Sequence, residues 1–181
     1  GARCLAESAA ISLANAFTVL TDTAPNPMRD AIIHPALSLL SAHLAQGIRH
    51  PRNRAACLAL ANAAVMASAA YSDVRPGMPQ LLAEALATTT GHSAGTLTGV
   101  LLAACIAALQ KAEAAVREEL CLAVSGIEGF SALPDHERPR KGLEMFMNLL
   151  GSIEGLSPAS LRALHVPAHL LDQAARDAAD N

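Results

Sequence analysis

The sequence predicts an all-α fold, a helical bundle. Three observations predict it. The chain is rich in Ala and Leu, the best helix formers, with 52% hydrophobic and only 16% charged residues among 181. No run of useful length alternates apolar and polar residues as a half-buried strand would. Finally, Asn-Pro, Ser-Pro and Gly-rich breaks divide the chain into pieces of helical length. Aromatic residues make up 2% and Trp is absent, so the core must be built from aliphatic side chains.

The elements follow in order. Leu5 to about Leu20 is apolar and helical, and "TDTAPNP" breaks it. Asn26 then caps a helix that Pro27 opens. Ile33, Leu37, Leu40 and Leu44 form one apolar stripe along it. Pro35 is placed to kink this helix and Gly47 to end it. Pro51 opens the next, which reaches about Ser72. "SDVRPGMP" is a loop. Gln80 to Ala87 is a short helix. The Gly-His-Ser-Ala-Gly stretch at 91–95 is a tight turn, and Ser93 caps a long helix to about Leu109. Lys111 to Val124 reads as helix, "GFSALPDHERP" as loop, and Lys141 to Leu150 as helix. Ser157-Pro158 and Val166-Pro167 start two short final helices.

Several function classes recede. Net charge is −3 and no basic stripe is visible, so no nucleic acid is expected as partner. The runs Ala55 to Ser72 and Ala85 to Leu109 lack Asp, Lys and Arg. Both are Ala-rich and interrupted by Asn62 or by Thr88–Ser93, so buried core helices are expected and no membrane. "GARCLAESAAI" does not read as a signal peptide. Cys4, Cys57, Cys105 and Cys121 have no CxxC spacing. Cys57 and Cys105 read as small buried hydrophobes in a reducing, cytoplasmic compartment. There is no GxGxxG, P-loop or strand–helix alternation, so a nucleotide-binding domain is not expected within this chain. Residues 1–181 read as a single helical domain.

Three stretches carry a family resemblance. "NAFTVLTDTAPNPMRDA" is similar to a segment reading EAY…NP..DA. "VMASAAYSDVRPGMPQLLAEALATTTGHSAGTLTGVLL" is similar, without a gap, to one containing HALAH and PHG. "LRALHVPAHLLDQAARDA" is similar to a closing LRELGVP…LAEAA segment. In this order they resemble the helical C-terminal half of the iron-containing (group III) alcohol dehydrogenases. That family includes glycerol dehydrogenases and maleylacetate reductases, and its fold is dehydroquinate synthase-like. The resemblance implies an N-terminal nucleotide-binding domain or subunit as partner, and NAD(P)-linked oxidoreduction of alcohols or aldehydes. It also implies a divalent Fe or Zn, held in the cleft by one Asp and three His, that polarises the substrate oxygen.

Carried over position by position, the ligands of the Asp-xxx-His pair fall on Ser8 and Ser12. The first His of HALAH falls on Gln80 and the His of PHG on Ala94. None is a ligand of the implied type, so no metal and no cofactor is expected on this chain alone. Glu84 stands where the second His of HALAH lies beside the cofactor, and is the candidate pocket residue. Gly77, Leu86 and Gly95 keep the motif's frame.

Glu7, Glu84 and His92 are near the replaced positions and are of ligand type. They are either a substitute site or three unrelated side chains; three residues from separate segments make no spaced motif. Glu7 also suits a helix's first turn facing solvent, and His92 suits a turn. Glu84 is either a buried pocket carboxylate or an exposed helix residue. His165 and His169 flank Pro167 and make no metal pair. Cys4 is a nucleophile by type only. "REEL" at 117–120 and "HERPRK" at 136–141 read as solvated, and adjacent Asp135-His136 makes no dyad.

Three functions stay open. The chain is the helical domain of an oxidoreductase that has lost its metal; or an interaction or scaffold module, self-associating as a homo-oligomer; or part of an active enzyme whose nucleotide domain lies elsewhere and which works through Glu84.

Overall fold

The computed structural model describes residues 1–24, 26–114, 116–153 and 160–179. Among them are eight α-helices, one short 3-10 turn at Asp135–Glu137 and no strand. The helices are α1 (Ala2–Thr21), α2 (Pro27–Arg49), α3 (Arg54–Tyr71), α4 (Met78–Thr90), α5 (Ala94–Lys111), α6 (Glu119–Ser131), α7 (Arg138–Gly151) and α8 (Ala168–Ala179).

Local chemistry sets most boundaries. The Asn26 side chain accepts from the backbone N–H groups of Met28 and Arg29, with Pro27 first in the helix. Asn53 caps α3 through the Ala56 N–H and Ser93 caps α5 through the Thr96 N–H. Gly91 closes α4 in the left-handed region at φ 72°, as a helix C-terminus favours.

The apolar stripe of α2 is met: Ile33, Leu37, Leu40 and Leu44 are all buried. Other expectations are corrected. Pro35 lies within α2 on its exposed side, and the helix runs on past it. Gly47 does not end α2. It is buried, and a Cβ there would lie 2.5 Å from Leu60 Cδ1, so glycine serves the α2–α3 crossing. α3 starts after the Asn53 cap rather than at Pro51. α4 starts at Met78 rather than Gln80 and extends through Thr88–Thr90, past the expected end at Ala87. Lys111 belongs to α5, residues 112–114 and 116–118 are non-helical, and α6 runs to Ser131, broken in its middle by Gly126 at φ 70°. The Val166-Pro167 start is met by α8; the Ser157-Pro158 start lies outside the described residues.

Two apolar clusters hold the helices. The larger joins α1, α2, α3, α6, α7 and the second half of α5, with the Phe17 and Phe146 rings 5.3 Å apart and tilted at 57° among Ala and Leu side chains. The smaller joins α4, the first half of α5 and α8 through Leu82, Leu86, Leu97, Leu101 and Ala174. α1 is central, with eleven buried residues that include Ser12 and Asn15. The sequence weighed two runs as membrane spans, but α1, α2, α3 and α5 are all long and apolar enough to cross one by length and composition.

Ion pairs tie outer segments together. Arg117 grips Asp30 of α2 with both guanidinium nitrogens, at 2.6 and 3.3 Å, and its side chain is only 15% exposed. Arg138 lies 4.0 Å above the Phe130 ring and pairs with Glu118 and Asp135. Neither "REEL" nor "HERPRK" is therefore a merely solvated face. Cys121 is buried, Cys57 and Cys105 are half-buried rather than core, and Cys4 is exposed.

Candidate functional site

α1 carries a polar stripe on an apolar helix: Ser8, Ser12, Asn15 and Thr18 recur at helical spacing. The N-terminal ends of α4 and α5 meet this helix. Gln80, in the first turn of α4, sends its amide Nε2 to Thr18 Oγ1 at 3.1 Å and to Asn15 Oδ1 at 3.4 Å. Gln80 and Asn15 are both buried, so these bonds satisfy groups that would otherwise be costly to bury. Thr18 in turn donates to the Ala14 carbonyl. Beside this network Tyr71, at the end of α3, shares a hydrogen bond with the Gly77 backbone. Burial holds its phenol above the usual range.

The end of α5 meets α1 at Glu7. One carboxylate oxygen, Oε1, accepts from Ser93 Oγ at 2.8 Å, Thr96 Oγ1 at 3.0 Å and Arg3 Nε at 2.9 Å. The Arg3 bond, with those from Ser93 and Thr96, outweighs burial and holds the Glu7 carboxyl below its ordinary range. Glu7 lies in the second turn of α1 and not its first, since the helix begins at Ala2, and it does not simply face solvent.

The other positions scatter. Ser12 Oγ donates to the Ser8 carbonyl one turn back at 2.9 Å. Ser8 and Ser12 line a cavity of about 190 Å3 with Cys57, Leu60, Ala61 and Ala64; neither Gln80 nor Ala94 lines it. Ala94 is the first residue of α5. Glu84 is exposed on α4. His92 sits in the α4–α5 turn with Nε2 2.9 Å from the Leu164 carbonyl. Glu7, Glu84 and His92 thus have separate surroundings. Among the described residues no three His, Cys, Asp or Glu side chains gather as a metal-ligand group.

Comparison with solved structures places the fold. The chain is similar to an alcohol dehydrogenase from Oenococcus oeni, with TM-score 0.79 and 16% identity over 98% of this chain and 45% of that one. It is also similar to a maleylacetate reductase from Agrobacterium tumefaciens, with TM-score 0.70 and 23% identity over 97% of this chain and 46% of that one. The chain has their fold. The resemblance read from the sequence is met at that level, and the all-helical class with it. The chain spans less than half the length of either protein. No protein-family model matches the chain, and no curated protein matches it.

Sequence reasoning missed Asn15, Thr18, Thr96 and Arg3. The i, i+4, i+7 polar stripe beginning at Ser8 was a usable signal for Asn15. Nothing local marks Thr96, whose partner lies 89 residues away.

Proposed function

We propose that this chain is the helical half of an alcohol dehydrogenase-like oxidoreductase that does not bind the metal and does not turn over alcohol by itself. One observation carries the reading: a fold shared with an alcohol dehydrogenase, with Ser8, Ser12, Gln80 and Ala94 standing at the implied ligand positions. These residues do not fit Fe or Zn. Neutral hydroxyl and amide oxygens are weak donors beside carboxylate and imidazole, and a methyl group is none. No step is therefore routed through a metal.

In this reading a nucleotide-binding domain or subunit supplies the NAD(P) site, the compartment is cytoplasmic, and the chain assembles with that partner or with itself. Elemental analysis after dialysis tests it. We expect well under one iron or zinc per chain, and no alcohol oxidation with either nicotinamide cofactor, with or without added Fe²⁺ or Zn²⁺. One tightly bound metal per chain overturns the reading. The combined variant Ser8→Asp, Ser12→His, Gln80→His and Ala94→His gains metal binding if the four positions keep the geometry the resemblance implies, and stays metal-free if Ser8 and Ser12 keep to a cavity apart from Gln80 and Ala94.

A second reading keeps catalysis without a metal. Glu84 is exposed one turn beyond Gln80 on α4, where a partner domain can reach it. Turnover by the unmodified chain, abolished in Glu84→Gln, would favour it.

A further inference from the structure

Two hydrogen-bonded seams lie at or next in sequence to three of the four positions where the resemblance sets metal ligands. One joins α1 to the start of α5, through Glu7 with Ser93 and Thr96. The other joins α1 to the start of α4, through Gln80 with Asn15 and Thr18. Glu7 directly precedes Ser8, Ser93 directly precedes Ala94, and Gln80 is itself a replaced position.

We infer that these two seams do the tying that a metal would do: they hold the N-terminal ends of α4 and α5 on α1 with the chain's own side chains. The inference rests on the proposed reading that the four positions take no metal. A metal would join the same three helices through a single point of positive charge. Here the tie is divided in two, and its charge is internal, since the Glu7 carboxylate is met by Arg3.

Backbone shape supports both seams. A Cβ on Gly95 would lie 2.6 Å from Glu7 Cβ and 3.0 Å from its Cα and carbonyl oxygen. A Cβ on Gly77 would lie 2.5 Å from Thr18 Oγ1 and 2.8 Å from Gln80 Oε1. Each seam therefore sits at a glycine, and the missing side chain lets the helix end come close enough for bonds of 2.8 to 3.4 Å. Glu7 and Gln80 act as positioning residues in this scheme, since they fix helix ends and not a reacting atom.

Hydrogen exchange of the 181-residue chain, read amide by amide, tests the inference. Glu7→Ala is expected to speed exchange at Thr96 and Leu97 by about tenfold or more and to spare Gln80 and Leu81. Gln80→Met is expected to do the reverse. Glu7→Gln keeps an acceptor oxygen for Ser93 and Thr96, and should restore most of the protection. Thr96→Val, nearly isosteric and keeping the backbone N–H that Ser93 caps, covers the case in which Glu7→Ala does not fold; it should give a smaller local effect. Unchanged exchange in these variants, or acceleration spread evenly over all helices, overturns the seams. Zn²⁺ or Fe²⁺ titrated into the unmodified chain is expected to change nothing. Slower exchange at both helix ends on adding metal would instead sink the metal-free reading, and is told apart because it appears without any substitution.

Discussion

At the scale of single residues, glycine positions separate close contact from open space. A Cβ on Gly142 of α7 would lie 2.8 Å from the Cys121 backbone nitrogen and 3.1 Å from its Cα, and backbone cannot step aside as a side-chain tip can. Gly142→Ala should cost about 1–3 kcal/mol in urea unfolding. Gly151, at the end of the same helix, has no atom within 4 Å of its built Cβ and no positive φ. Gly151→Ala should be neutral or stabilise by up to about 1 kcal/mol, through the lower entropy of the unfolded chain. Sequence alone ranks the two glycines alike, because what distinguishes them is the backbone at Cys121, far upstream of Gly142. The candidate site divides similarly. That Ser8, Ser12, Gln80 and Ala94 are not the implied ligands was legible in their identities. That Gln80 is tied to Asn15 and Thr18, and Glu7 to Ser93 and Thr96, was not, because those bonds span 62 to 89 residues.

At the scale of elements, caps and stripes were legible because their signals are local. Asn26 with Pro27, Ser93, and the stripe from Ile33 to Leu44 each act within a few residues. The differences have two sources, a distant partner in one case and local side-chain bonding in the other. Gly47 stays helical because Leu60 packs there, and Thr88–Thr90 stay helical with hydroxyls donating to carbonyls one turn back. Helix ends also carry the acid response. Asp22, just past α1, is pushed up by burial but is held lower overall by the Ala24 N–H and by Arg29 of α2, at 2.8 Å. Glu7 is lowered too. A carboxyl lowered in the folded state adds stability that is full above its unfolded value and is lost as pH falls through the folded one. Stability should therefore decline as pH drops below about 4.5, the ordinary glutamate value. The decline should be shallower in Asp22→Asn, measured by thermal unfolding across a pH series.

At the scale of the whole molecule, an aliphatic chain with three Phe and one Tyr still closes two apolar clusters. The all-helical class was legible because composition and the lack of alternation bear on every segment. The stretch 77–95 and the first helix carry some exposed apolar surface. Met78 and Ile11 are exposed there, but α3 exposes more, through Leu58 and Val65. Leu58→Ala should change stability by no more than about 0.5 kcal/mol, whereas Leu60→Ala, two residues on and buried, should cost about 2–5 kcal/mol. The contrast is read from paired denaturation curves. The junction of α3 and α4 gives the molecule one more property. Tyr71 is the sole tyrosine and there is no tryptophan, so ultraviolet emission comes almost wholly from one phenol, half-buried beside Gly77. The protein is thus nearly dark on its own. A quenching or shift of that single emitter would report movement at the first turn of α4, and a bound reduced nicotinamide would glow against an almost empty background.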